Sequence, residues 1–199
     1  PFNSDKTVLL NHAAALSKEE LKKQEEELKK IEENRPTSRS SYFGIVDLAG
    51  FPKDRYYLYQ SRWMPDYPMV HILPHWNFEN KKGENIPVFV YSSGDEVELF
   101  LNGKSLGKKQ KQAFEYRFRW NEVPYEPGEL KAVAYKDGKV WAEASVKTTG
   151  APVKLKLTPD KKILKSDGED LIFVRVSVLD ADGNEVPTAE PLIKATLDG

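Results

Sequence analysis

The dipeptide Asn102-Gly103 sits between two stretches of alternating sequence, and that arrangement leaves little freedom in how the chain can fold. Before it, Val97, Leu99 and Leu101 alternate with Glu96, Glu98 and Phe100. Successive side chains of a strand point to opposite faces, so such a run covers a core on one side and meets water on the other. Asn-Gly supplies the two positive-φ residues of a type I′ turn, whose twist suits a two-residue hairpin. The same pattern recurs on both sides. Val88 and Val90 alternate with Phe89 and Tyr91, while Phe114, Tyr116, Phe118 and Trp120 form another alternating run. Leu130, Ala132 and Ala134 lead through Asp137-Gly138 to Val140, Ala142 and Ala144. Strands of about six residues with a turn every 8–12 residues predict an immunoglobulin-like β-sandwich over residues 86–150.

A second β unit begins at Pro152. Val153, Leu155 and Leu157 alternate, as do Ile172, Val174, Val176 and Val178, with Asp167-Gly168 and Asp182-Gly183 as turns and Ile193 to Leu197 as a further strand. An immunoglobulin-like sandwich needs about seven strands and about 100 residues. Residues 151–199 supply three or four strands, so they are expected to be the truncated start of a second such domain.

The amino-terminal third reads differently. Ser17 and Glu20 form a capping box, with Leu16 and Leu21 at staple spacing, which predicts a helix from about Lys18 to Glu33. Its large apolar residues, Leu21, Leu28 and Ile31, form one narrow stripe in a Lys/Glu-rich background. That suits a solvated surface helix better than a partner-binding arm. Tyr42-Phe43-Gly44-Ile45-Val46 is a continuous apolar run of the kind found in strands buried on both faces. After the Gly50-Phe51-Pro52 turn, Tyr56, Tyr59 and Trp63 recur at helical spacing until Pro65. Strand, loop and helix make a βα unit, which needs neighbouring strands of a kind not found elsewhere in the sequence. Either the fold is unusual or the chain is a piece of something larger. Residues 66–85, with Pro65, Pro68 and Pro74 and a polar run at Glu79 to Gly83, read as a linker. Val70 to Leu73 would form an edge strand within it.

These words carry a resemblance. GIVDLAGFPKDRYYLYQSRW resembles the eighth strand and helix of the catalytic (β/α)8 barrel of glycoside hydrolase family 2, in particular the β-galactosidase-like enzymes of gut bacteria. HILPHWNF, VFVYSSGDEVELFLNGKSLG and PYEPGELKAVAYKDGK resemble the β-domains that follow the barrel, in the family's order. The implied fold is mostly β with some α. Residues 1–65 would be the incomplete end of the barrel, followed by the sandwich and the start of the second one. The implied activity is that of a retaining β-galactosidase-type hydrolase acting on terminal β-linked sugars. Retaining glycosidases use two carboxylates about 5–5.5 Å apart; in this family they are glutamates that would lie upstream of Pro1, leaving no catalytic residue in this chain. The partners implied are a carbohydrate substrate, the remainder of the barrel and a further copy in a homo-oligomer. The resemblance favours a periplasmic or extracellular location, though the chain shows no signal peptide.

Such barrels place their sites at the carboxyl ends of the strands. Asp47 and, flanking the start of the apolar run, Arg39, Tyr42 and Phe43 are therefore the substrate-binding candidates. Asp47 has a plainer reading, as acceptor for backbone amides of the βα loop. Glucuronide-cleaving members carry Asn-x-Lys-Gly where this chain has Ser41-Tyr42-Phe43-Gly44. The lost lysine implies a neutral sugar, galactose by overall resemblance.

Other chemistry finds little support. His71 and His75 flank Pro74 in an extended stretch, where residues four apart lie about 13 Å from each other, too far to share an ion. No metal site or cofactor is expected. Trp76, Trp120 and Trp141 could stack on sugars but suit a core better. Lys108-Lys109-Gln110-Lys111 reads as a solvated loop beside a hairpin. Net charge is −1, with acids and bases interspersed, which suggests no nucleic-acid or anionic-membrane partner. There is no cysteine, and no apolar segment of membrane-spanning length. A self-contained carbohydrate-binding module and a structural β-array are the competing readings. The orphan βα unit separates the glycosidase reading from both.

Overall fold

The structure, a computed structural model, describes residues 8–9, 22, 26, 29–30 and 43–196. The protein is mostly β, with one α-helix and a short 3-10 helix (Glu79–Lys81) described along their whole length. Strands β2 (Val70–Leu73), β3 (Asn85–Ser92) and β6 (Phe118–Pro124) form one sheet in the order β2-β3-β6. Strands β4 (Glu96–Leu101), β5 (Lys104–Gln110), β7 (Glu129–Lys136) and β8 (Lys139–Lys147) form a second, in the order β5-β4-β7-β8. All pairs are antiparallel, and the two sheets close over a single core.

The alternation in the sequence decides which side chains make that core. Val88 and Val90 face inward from β3, and Val97 and Leu99 from β4; Leu130, Ala132 and Ala134 do so from β7. Phe118, Trp120 and Val123 enter from β6, while Ile72 and Trp76 enter from β2 and the turn after it. Each fully buried large side chain contributes about 1.5–3 kcal/mol from leaving water. Asn102 and Gly103 have φ of 49° and 80°, and Asp137 and Gly138 have 51° and 73°. Both are the expected type I′ turns, joining Leu101 to Lys104 and Lys136 to Lys139.

The run from Phe114 to Trp120 is shorter than its alternation suggests. β6 begins only at Phe118; Phe114 has φ of 65° and its side chain is wholly exposed. Lys108, Lys109 and Gln110 belong to β5 rather than to a loop. Their exposed edge-strand positions explain the basic character, since charged side chains discourage further pairing at an edge. Lys108 lies 3.6 Å from the Tyr135 ring centroid and Lys109 lies 5.1 Å from that of Trp120.

The helix α1 (Asp54–Trp63) forms where expected and is docked on the sandwich. Asp54 Oδ1 lies 2.8 Å from His71 Nε2, and the Tyr57 ring stacks on His71 at 4.0 Å. The helix ends as Met64 donates to the Gln60 carbonyl, just before Pro65. Lys22, Glu26, Lys29 and Lys30 are helical and exposed, in keeping with the expected Lys/Glu helix, whose other positions lie outside the described residues.

The expected strand at Tyr42–Val46 is a correction. Residues 43–46 form no strand, making only an isolated bridge from Val46 to Pro52, and Phe43 is 78% exposed; Tyr42 lies outside the described residues. A lone strand must leave its amides and carbonyls unpaired, so it forms only beside neighbours. The described residues provide none.

In the last unit, β9 (Lys154–Pro159) pairs with β10 (Val174–Leu179), and β1 (Val8–Leu9) adds to the free edge of β9. Ile172 precedes β10, and residues 193–196 form no strand; Leu197 lies outside the described residues. One face of β9 and β10 carries Leu155, Leu157, Val174, Val176 and Val178, paired across the two strands by the register. It is only partly covered: Leu157 is 43%, Val174 46% and Val176 40% exposed.

Candidate functional site

The candidate residues sit where the chain enters α1. Asp47 Oδ1 accepts hydrogen bonds from the amides of Ala49 (2.9 Å) and Phe51 (2.8 Å). The Asp47 backbone amide donates to the Phe51 carbonyl, and the Gly50 amide to the Asp47 carbonyl. Asp47 thus holds the turn that redirects the chain into α1, through one carboxylate oxygen. Phe43 lies at the start of this segment, exposed. Arg39 and Tyr42 lie outside the described residues, so neither is placed against Asp47. Phe51, at the end of the turn, lies under the Arg175 guanidinium of β10 at 4.9 Å.

Several large apolar side chains of this turn, of α1 and of the segment after it are exposed. Leu48 is 90% and Trp63 72% exposed, and Tyr59 packs against Trp63 with ring centroids 4.7 Å apart. Met64 and Tyr67 are also exposed. Residue identity alone does not separate a stripe that meets its own core from one that looks outward. The helical spacing of Tyr59 and Trp63 was the available signal. The opposite side of this region is tied to the sandwich: Lys136 Nζ donates to the Pro65 carbonyl (2.7 Å) and pairs with Asp66, and Ser93 Oγ donates to the Tyr67 carbonyl (2.6 Å).

The tryptophans resolve by burial. Trp76 is fully buried and donates from Nε1 to the Glu126 carbonyl, and Trp120 is buried in the core. Trp141 is half-buried, donates to Ser93 Oγ and lies under the Lys136 ammonium at 4.6 Å. The sandwich therefore presents no tryptophan platform. The two histidines serve separate contacts. His71 pairs with Asp54, whereas His75 stacks on Phe78 and accepts the Asn77 amide at Nδ1. Burial lowers the pKa of His75. Among the described residues no group of three or more His, Asp or Glu side chains is arranged to hold a metal ion.

A general acid for glycoside hydrolysis needs a raised carboxyl pKa. The carboxylates whose pKa is displaced move the other way. The Lys161 ammonium and the Lys165 amide lower that of Asp170, and the amides of Glu169 and Asp170 lower that of Asp167. At Asp180 burial acts upward, but hydrogen bonds from Asn184 and the Gly150 amide outweigh it. These three hold turns and loops together.

Comparison with known proteins places this architecture. Residues 83–142 match a family described as a domain of unknown function (DUF4982), and residues 155–199 match the glycoside hydrolase family 2 C-terminal domain 5. A β-galactosidase of Bacteroides ovatus is 51% identical over 81% of this chain and 19% of its own length. A putative β-glucuronidase of Formosa agariphila is 45% identical over 78% of this chain and 15% of its own length. Among solved structures, a β-glycosidase from Bacteroides vulgatus superposes with a TM-score of 0.68 at 40% identity, covering 75% of this chain and 19% of that one. A family 2 β-glucuronidase superposes with a TM-score of 0.66 at 33% identity, covering 73% of this chain and 15% of that one. The chain belongs to glycoside hydrolase family 2, and it spans about a fifth or less of the length of these relatives.

Proposed function

We propose that this chain is the carboxyl-terminal region of a retaining β-galactosidase-like glycosidase that hydrolyses terminal β-linked neutral sugars. In this reading residues 1–65 are the incomplete carboxyl end of its (β/α)8 barrel, and residues 43–46 become a strand only beside the barrel's other strands. The chain supplies part of the barrel rim and the β-domains behind it, while the catalytic glutamates come from the remainder of the barrel. One observation carries the reading most: a sequence half identical to a β-galactosidase exposes Leu48, Phe43 and Trp63 along this βα segment. Apolar side chains at such density mark a surface meant for contact. The remainder of the barrel is the contact that the family supplies. The partly covered face of β9 and β10 fits an immunoglobulin-like domain whose second sheet is likewise supplied elsewhere. The preference for a neutral sugar rests on Ser41-Tyr42-Phe43-Gly44, since the relatives include both β-galactosidase and β-glucuronidases.

The test is turnover of chromogenic β-galactoside and β-glucuronide by the chain alone, with circular dichroism to confirm folding. The same assay is then run after fusion behind the upstream part of the Bacteroides ovatus relative. The expected result is no turnover alone and β-galactoside turnover from the fusion. Hydrolysis by the folded chain alone would place a carboxylate pair within these residues and overturn the reading.

A further inference from the structure

Asn102-Gly103 is the one Asn-Gly pair in the sequence; every other asparagine is followed by a residue with a side chain. A glycine in the second position leaves the following amide nitrogen unshielded, because no Cβ stands beside it. That nitrogen is the nucleophile of asparagine deamidation. The turn that shapes the β4–β5 hairpin is therefore also the most reactive asparagine in the chain.

The side chain of Asn102 is tied to the β6–β7 connection, residues 125–128. The Asn102 amide donates to the Glu129 carbonyl (2.8 Å), and the Glu129 amide donates to Asn102 Oδ1 (2.8 Å). This pair extends the β4–β7 ladder one residue beyond Leu101 and Leu130. Asn102 Nδ2 donates to the Pro127 carbonyl (3.2 Å), so both ends of the side-chain amide are engaged. Gly128 closes over it. A Cβ at that position would meet Asn102 Oδ1 at 1.9 Å and Cγ at 2.7 Å. Gly128 is itself held from β8, as its amide donates to Thr148 Oγ1 (3.1 Å) and its carbonyl accepts the Thr148 amide (2.8 Å). Asn102 is nonetheless exposed, so water reaches it freely. What the fold restrains is its movement.

Deamidation needs that movement. The Gly103 nitrogen gives its proton to solvent base and bonds to Asn102 Cγ, and Nδ2 leaves as ammonia. The five-membered succinimide then takes up one water at either carbonyl and opens to aspartate or isoaspartate. Closing the ring draws Cγ onto the Gly103 nitrogen, away from Pro127 and Glu129, and both side-chain hydrogen bonds must break first.

We propose that Asn102 is a deamidation site gated by the β6–β7 connection. The closed connection holds the residue unreacted, and each opening exposes it to conversion. Reaction makes the opening permanent. Aspartate keeps an acceptor for the Glu129 amide but has no donor for the Pro127 carbonyl, and it sets a negative charge against that oxygen. Isoaspartate adds a methylene to the main chain inside a two-residue turn, whose geometry is that of two successive positive-φ residues.

The test is peptide mapping by mass spectrometry of the full chain aged in mildly alkaline buffer, which separates asparagine, aspartate and isoaspartate at position 102. The folded chain should deamidate at least about tenfold more slowly than the same chain in urea, as expected for two hydrogen bonds that must open first. Gly128→Ala, with its fold confirmed by circular dichroism, should recover about tenfold in rate, because the added methyl displaces the Asn102 side chain. Should that variant not fold, the parent decides alone. In urea below the unfolding transition, deamidation and amide exchange at Glu129 should quicken together, since one opening serves both. Asn102→Asp should unfold at a lower urea concentration than the parent. Equal deamidation in the folded and unfolded chain would overturn the proposal. So would a folded Gly128→Ala variant that reacts as slowly as the parent, Glu129 exchange that quickens without deamidation, or an unchanged midpoint in Asn102→Asp.

Discussion

Replacing Asn77 by alanine tests how the two β units are joined. Asn77 is 9% exposed and holds the segment that leaves β8. Its Nδ2 donates to Thr149 Oγ1 at 2.6 Å, and its Oδ1 accepts the Thr149 amide at 2.9 Å. One residue earlier, Thr148 Oγ1 donates to the Trp76 carbonyl (2.7 Å) and accepts the Gly128 amide (3.1 Å). One residue later, the Gly150 amide donates to Asp180 Oδ2, and the Val153 amide to the Leu179 carbonyl. The connection is therefore bonded residue by residue to the sandwich and then to the second unit. Asn77→Ala removes two hydrogen bonds worth about 1 kcal/mol each. Thr149 is only half-buried, so water replaces part of the loss, and the net cost should be about 1–2 kcal/mol. In urea that should lower the unfolding midpoint by about 1–2 M, and amide exchange at Thr149 should quicken. Asn77→Asp keeps the acceptor and lets the Thr149 hydroxyl donate, so it should cost less than alanine. Stability within about 0.5 kcal/mol of the parent, with Thr149 exchange unchanged, would refute this account of the joint.

Two further outcomes follow from the sandwich. A Cβ on Gly94 would meet the Tyr135 carbonyl oxygen at 2.7 Å, whereas one on Gly103 would meet nothing within 4 Å. Gly94→Ala should cost about 1–3 kcal/mol by overpacking and Gly103→Ala about 1 kcal/mol from its left-handed backbone alone; equal losses in urea unfolding would contradict that ordering. Burial lowers the pKa of His75, so the folded protein resists a proton that the unfolded chain accepts near pH 6.5. Its stabilising effect is present above that value and is lost as pH falls from there through the lowered folded value. Protonation at Nδ1 also removes the acceptor of the Asn77 amide. Unfolding midpoints followed from pH 7 to 5 should show a decline that His75→Gln diminishes, and an unchanged profile in that variant would assign the decline to other groups.

The sandwich was legible because each signal in it was local and agreed with the next. Alternation named the inward residues, and Asn102-Gly103 and Asp137-Gly138 named the turns. Where a signal was local but its partner was not, the reading failed. Phe114 and Tyr116 continue the alternation of Phe118 and Trp120, yet the loop that must span from β5 to β6 takes them out of register with β3. Lys108 and Lys109 read as loop because an exposed edge strand carries the same residues as one. Asp47 was legible as a turn-holding carboxylate because its acceptors' partners, Ala49 and Phe51, lie within four residues of it. The contact from Arg62 on α1 to the Glu115 carbonyl had no signature in the sequence, since it joins residues 53 positions apart.

The two exposed apolar surfaces follow from the same physics. Periodicity reports that one face of an element is suited to cover; it does not report which residues provide the cover. In β3, β4 and β7 the cover is the opposing sheet, and Val88, Val90, Val97 and Leu99 are fully buried. Leu157 and Val176 alternate just as cleanly and face each other across β9 and β10, yet they remain exposed. Tyr59 and Trp63 have good helical spacing on α1 and are exposed as well. Covering a large apolar side chain is worth about 1.5–3 kcal/mol, so each of these surfaces would gain several such contributions on meeting a complementary partner. A barrel remainder docked against α1 should therefore protect the amides of residues 54–63 from exchange and lower the accessibility of Trp63 to a fluorescence quencher. If the fusion leaves Trp63 as open to quencher as it is in the chain alone, α1 is not the barrel's closing helix.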